Sequence, residues 1–265
     1  MSERNNAVSP QRDFLESLGV VRRNPRTYPF DPGYDVATVT SHIRQSHALM
    51  AGFKLSMATW LLIEDDSLRK KISAARDHGL AVTVGGGMFE IAADQGHLDE
   101  YLDLCRRLGV TGIEAGQGFT SSDPHPGRVM EAATARGLTV IYEIGGKHDG
   151  PFDEATTKEL VALGGQWLNE GATHLVVEGR ENAADVGLFD ADGHLNGTLA
   201  DSLADEFGLD RLIFEAPTKP SQFALLDHFG PGVALGNVRL EELLRVETYR
   251  HGLHSDAYKS AFHGT

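Results

Sequence analysis

The chain has 265 residues, 41% hydrophobic and 23% charged, which is enough to bury a sizeable core. Its 24 basic and 38 acidic residues give a net charge of −14, so neither nucleic acid nor an anionic membrane surface is an expected partner. One cysteine, Cys105, excludes an intrachain disulfide and reads as a small buried hydrophobe in the helical stretch YLDLCRRLG.

Residues 1–25 read as a polar N-terminal extension with a short amphipathic piece at DFLESLGVV. Their first residues, MSERNNAVSPQRD, lack the apolar segment of a secretory signal. No apolar run approaches the roughly 20 residues that span a bilayer, so a cytoplasmic location is expected. From residue 26 to 265 a single barrel domain is expected. RTYPFD (26–31) is a first strand, followed by a helix-like piece at 36–47. LMAGFKLS (49–56) precedes the helix DDSLRKKISAARDHG, and LAVTVGGGMFE (80–90) precedes HLDEYLDLCRRLG. TGIEAGQ, LTVIYEIGGK, THLVVEGR, RLIFEAPTK and GVALGNV are each followed by a further helical pattern. Gly79, Gly109, Gly137, Gly171, Gly208 and Gly230 close helices just before the next strand. Eight strand–helix units in this length predict a single (β/α)8 TIM barrel of the α/β class. A doubly wound open sheet is the alternative, and it would carry a Gly-x-Gly-x-x-Gly turn after its first strand, which is absent.

Glu90, Glu114, Glu143, Glu178 and Glu215 all fall at or near predicted strand ends. A parallel barrel gathers those ends on the face where it places its chemistry. One such glutamate reads as an ion-pair partner; five in one layer read as a charged ligand site, because they need cations to coexist. Lys54, Lys147, Arg180 and Lys219 are available, and oxygen donors favour Mg2+ or Mn2+ over zinc. VGGGMFE reads either as an anion-binding run of backbone N–H groups or as a bend. Gly236 and Asn237 end the last strand before a helix, where barrels commonly bind phosphate, so a small phosphorylated anion is the expected substrate. The histidines form no His-Glu-x-x-His motif, and only His148, beside Lys147, is kept as a site candidate. No Gly-x-Ser-x-Gly nucleophile elbow occurs.

VGGGMFE, YEIGGK, VVEGRENAADVGLFD, LIFEAPTKPSQ and LGNVRLEELLRVETYRHGLHSD, in this order across residues 26–260, resemble the phosphosulfolactate synthase family, which includes heat-stress-associated plant relatives. The resemblance implies a (β/α)8 barrel that adds sulfite to phosphoenolpyruvate with Mg2+, giving phosphosulfolactate, a step toward coenzyme M. It implies Lys147 as the acid that protonates C2, with Lys54 as the alternative. Arg180 and Lys219 would bind anionic groups, and Asn237 with Gly236 would place the phosphate. Glu178 and Glu215 would contact metal, with Glu114 and Glu143 supporting them and Glu114 a further metal candidate. A homo-oligomer is expected. The chain departs from the family pattern in the segment after Lys54 (Leu55, Ser56, Met57, Ala58), at Gly116-Gln117-Gly118-Phe119, and at Pro32, where the family carries a lysine. These departures leave open a diverged member using another nucleophile or enolpyruvate, or a non-catalytic barrel.

Overall fold

The computed structural model describes residues 9–120 and 122–262. Eight strands form a closed parallel barrel in sequence order: β1 (Thr27–Asp31), β2 (Phe53–Leu55), β3 (Val82–Val84), β4 (Gly112–Ala115), β5 (Thr139–Ile144), β6 (Leu175–Val177), β7 (Leu212–Glu215) and β8 (Leu235–Arg239). Around them run α2 (Val36–Ser46), α3 (Asp65–Arg76), α4 (Gly86–Asp94), α5 (Leu98–Leu108), α6 (Pro126–Thr134), α7 (Glu154–Glu170), α8 (Gly197–Phe207), α9 (Lys219–Phe229) and α10 (Leu243–Arg250). A helix α1 (Pro10–Ser17), with no buried residue, precedes the barrel, and α11 (Ser255–Phe262) follows it. The expected polar extension therefore contains one short helix, and its residues 1–8 lie outside the described residues. The predicted (β/α)8 barrel is the fold observed, and no helix among the described residues is long and apolar enough to cross a membrane.

Local chemistry explains the element ends. Asp35 and Asp153 accept the N3 amides of α2 and α7, and Thr218 forms a reciprocal capping box with Ser221 at α9. Gly109 and Gly171 close α5 and α7 in the left-handed conformation. The main core lies between sheet and helices, where Trp167 of α7 stacks on Tyr142 of β5 with centroids 4.2 Å apart. A second small layer of Val176, Ile213 and Ala234, with Tyr28 and Ile141, fills the barrel lumen and forms the floor beneath the mouth.

One expected strand is corrected. LAVTVGGGMFE does not run to residue 90 as a strand: β3 ends at Val84, Gly85 turns the chain, and α4 begins at Gly86. The Met, Phe, Glu and Ala residues that follow are compatible with helix once the glycines have released the strand. Glu90 therefore rides on a helix rather than on a strand end.

Asp31, at the end of β1, is 3% exposed and pairs with Lys71 of α3, 2% exposed, at 2.8 Å. Its other oxygen accepts the amides of Gly33 and Tyr34, which fixes the rim after β1. Because removing one partner strands a buried charge, Lys71→Met is expected to cost about 3–5 kcal/mol in urea unfolding. A loss below about 1 kcal/mol, the size of an exposed pair, would show that Asp31 does not depend on it.

Candidate active site

The C-terminal mouth of the barrel holds a cluster of buried carboxylates and lysines. Glu114, Glu143 and Glu215 end β4, β5 and β7, and Glu178 follows β6 directly; each is 3% exposed or less. Lys54 of β2 donates to Glu114 at 3.0 Å and to Glu215 at 3.3 Å. Lys147, three residues beyond β5, donates to Glu143 at 3.0 Å and Glu178 at 2.8 Å.

Backbone geometry makes this closeness possible. A Cβ on Gly179 would lie 2.7 Å from the Glu215 carbonyl oxygen, and the Gly179 amide donates to Glu215 Oε2 at 3.1 Å. Only glycine fits between Glu178 and Arg180, which explains the apolar run ending Glu-Gly-Arg. Arg180 has a left-handed backbone (φ 53°), and its amide donates to Glu178 Oε1 at 2.6 Å. The glycines after β3 do serve an anion, but an internal one: the Gly86 amide at the start of α4 donates to Glu114 Oε1 at 3.1 Å. With no capping side chain at Gly85, a carboxylate from the next strand takes that part. A Cβ on Gly118 would fall 3.2 Å from Lys147 Cγ and 3.4 Å from Glu90 Oε1, so the small residues after β4 leave room for Lys147. Glu90 Oε2 accepts the amides of Phe119 and Thr120, holding that loop in place.

Asn237 owes its position to a bulge. Thr27 pairs with Leu235 but Pro29 with Val238, so β8 carries one extra residue. Pro29 has no amide to offer the ladder there. Asn237 adopts φ 51°, a conformation that Asn tolerates better than most residues, and its buried Oδ1 has no partner. Asn237 lines both the mouth pocket, about 590 Å³, and a void of about 20 Å³ below it in the lumen. Gly236 lines only the lower void.

Of the expected residues, Lys54, Lys147, Arg180, Asn237, His148, Glu114, Glu143, Glu178 and Glu215 all line the mouth pocket. Lys219 does not: it opens α9, pairs with Asp256 at 3.1 Å and lies 5.0 Å from the centre of the Phe223 ring. Arg239, missed in the sequence reading, does line the pocket, with its guanidinium 5.8 Å from the centre of the Phe30 ring. Strand alternation carried on from Gly236 would have pointed to Val238 instead, because the bulge shifts the inward register by one residue.

Electrostatics sets the cluster's needs. Burial first, then neighbouring carboxylates, hold Glu114, Glu143, Glu178 and Glu215 above the ordinary carboxylate range. Burial opposes the ammonium charges of Lys54 and Lys147, but the surrounding carboxylates outweigh it and raise both. Four carboxylates against two ammoniums leave a formal charge of −4 + 2 = −2. Glu114, Glu143 and Glu215 each offer an oxygen, all within 4.8 Å of one another. A hard divalent cation fits this donor set and charge. Glu178, expected beside the metal, stands outside that trio and instead holds Lys147 and the Arg180 amide.

Fold and mouth together define a (β/α)8-barrel enzyme with an acidic, lysine-braced site at its C-terminal face. The sequence pattern of the (2R)-phospho-3-sulfolactate synthase family matches residues 21–256. The chain is 31% identical to the phosphosulfolactate synthase of Methanocaldococcus jannaschii over 247 residues, covering 93% of this chain and 95% of that protein. It is 30% identical to the one from Methanothermobacter thermautotrophicus (92% and 96% covered) and 26% identical to the one from Bacillus subtilis (93% and 98%). The chain belongs to the phosphosulfolactate synthase family, whose members are carbon–sulfur lyases. Among solved structures, the carboxyl transferase domain of Rhizobium etli pyruvate carboxylase with pyruvate superposes with a TM-score of 0.56 at 12% identity, covering 98% of this chain and 52% of that one. A lyase/mutase from Burkholderia cenocepacia gives 0.50 at 13% identity, covering 96% and 89%. These two likenesses show the fold.

The raised carboxylates give a pH dependence with a definite sign. A carboxylate whose folded pKa lies above its unfolded value of about 4.3 stabilises the fold fully below that value, and the contribution is lost as pH rises through the folded pKa. The raised lysines lose theirs only above roughly pH 10. Between pH 5 and 8 the cluster therefore destabilises the metal-free protein as pH rises. A cation that binds ionised carboxylates should raise the melting temperature more at pH 8 than at pH 5. Glu143→Gln should shrink that difference. Equal Mg2+ shifts at both pH values, measured by calorimetry, would contradict the charge assignment.

Proposed function

We propose that this chain catalyses the Mg2+-dependent addition of sulfite to phosphoenolpyruvate, forming phosphosulfolactate, a sulfonate of the kind used to build coenzyme M, in the cytoplasm. The observation that carries this reading is the buried trio Glu114, Glu143 and Glu215 braced by Lys54 and Lys147, in a chain of this family.

The sulfite sulfur forms a bond to C3 of phosphoenolpyruvate, and the π electrons move to C2 and into the carboxylate. A bound divalent metal supplies positive charge that stabilises this developing anion. Arg180 lines the pocket rim without a carboxylate partner among the described ion pairs, and Arg239 lines it beside Tyr34 and Glu241, which suits Arg180 first to the phosphate and carboxylate. Asn237 lines the same pocket, and its side-chain NH2 is the group that would donate to this ligand.

Lys147 is the proton donor to C2. Its side chain is 31% exposed against 11% for Lys54, so it is the one nearer the open mouth. Lys54, held at depth between Glu114 and Glu215, keeps that pair of carboxylates together. Glu143 and Glu178 raise the Lys147 ammonium and make it a reluctant acid at rest. Charge neutralisation around those carboxylates on ligand binding would ease the release of its proton.

Phosphorus NMR of the protein with phosphoenolpyruvate, sulfite and Mg2+ is expected to show a new phosphate ester that appears only with sulfite. Lys147→Met should lower turnover by about 10²–10⁴-fold, the usual worth of a general acid. Gly179→Ala should cost about 10²-fold by displacing Glu215. Unchanged phosphoenolpyruvate with folded protein, or full activity in Lys147→Met, would remove the assignment.

A further inference from the structure

The mouth pocket is divided. The loops after β1 to β4 line it with Pro32, Met57, Ala58, Ile91 and Phe119, and Ser56 is the polar exception. The loops after β5 to β7 and the end of β8 line it with Lys147, His148, Arg180, Asn182, Asn237 and Arg239, with Glu181 as an acidic exception and Pro217 as an apolar one. In a barrel whose strands run in sequence order, these are two opposing halves of one rim. The floor between them is the carboxylate–lysine cluster.

The apolar half is built, not incidental. Met57, Ile91 and Phe119 are 44%, 41% and 44% exposed, although large apolar side chains normally avoid such positions as a group. Met57 is held in a left-handed backbone conformation (φ 53°) that a side chain adopts only under constraint. Phe119 is pinned by its amide to Glu90 Oε2 at 3.0 Å, and its ring lies 3.7 Å from where a Gly87 Cβ would sit.

A phosphoenolpyruvate with its phosphate and carboxylate on the cationic half turns its methylene carbon toward the apolar half. A nucleophile adds to C3 from one face of the C2–C3 double bond, where a substituent it carries can extend onto the apolar half. Sulfite brings only charge to that wall, which offers little to solvate it. We propose that this site also accepts an organic thiol, a sulfur nucleophile carrying a short alkyl or aryl arm that lies on Met57, Ile91 and Phe119. The inference rests on the reading of the site as a phosphoenolpyruvate site. In the step, the thiol loses its proton to solvent and its sulfur bonds to C3. The C2–C3 π pair moves to C2, which takes a proton from Lys147, and a proton from solvent restores Lys147. The phosphate ester is untouched, and the product is the sum of thiol and phosphoenolpyruvate with no redox change.

The test uses the full chain with Mg2+ and phosphoenolpyruvate, offering sulfite or phenylmethanethiol, read by phosphorus NMR and mass spectrometry. An adduct with the summed mass is expected. Phe119→Ser and Met57→Ser, both at exposed positions, should lower the ratio of thiol to sulfite kcat/KM by about tenfold. Turnover of sulfite with no thiol adduct would overturn the inference and leave the sulfite reading intact. A thiol adduct whose ratio is unmoved by both variants would overturn the role of the apolar wall. If phosphoenolpyruvate fails even to raise the melting temperature, the parent reading falls and the inference falls with it.

Discussion

An excess of buried negative charge at one end of the barrel is the constraint on which the site depends. Glu114, Glu143, Glu178 and Glu215 share that end with two ammoniums, and each lysine spans two carboxylates from different βα units. A cluster of this kind is unfavourable in itself, since desolvation raises every carboxylate in it. It persists because the closed barrel over-determines it. Gly179 brings the backbone of the segment after β6 against Glu215, and Gly86 turns a helix start toward Glu114. The remaining charge imbalance is the feature on which the proposed cation site rests.

Strain gathers at the same mouth. Met57, Arg180 and Asn237, three of the residues lining it, hold left-handed backbones without being glycine. Each follows or interrupts a strand where the chain must re-aim a side chain into the opening, and the bulge in β8 does this for Asn237. Such conformations survive where the surrounding structure fixes them, and they accompany ligand sites. The rim they shape has one half carrying Lys147, Arg180 and Arg239 with Glu181 among them and one mostly apolar half, with the charge cluster as the shared floor.

The barrel was legible in the sequence because its strands and helices alternate with clear punctuation, and because parallel strands deliver their C-terminal residues to one face. That rule gathers Glu114, Glu143, Glu178 and Glu215 on one face from the sequence alone. It failed where periodicity was ambiguous. The apolar run 80–90 contains a strand and the first turn of a helix, and only the glycines mark the change. Lys219 was misplaced because a residue after a strand end was assumed to face the mouth, whereas a helix starting there turned it outward to Asp256. Arg239 was missed for the complementary reason: the bulge at Asn237 shifts the inward register, and a bulge leaves little trace in a single sequence. The Asp31–Lys71 pair joins residues 40 positions apart and could not be read from spacing.

The central claim is that Glu114, Glu143 and Glu215 hold a divalent cation beside the substrate. Anomalous diffraction from crystals soaked in Mn2+ and phosphoenolpyruvate tests it most directly. The account predicts a manganese peak about 2.1 Å from oxygens of that trio, with the phosphate or carboxylate of the ligand nearby. A peak found only at the exposed Asp190, Asp192 and His194 group, or none at the mouth, would contradict it.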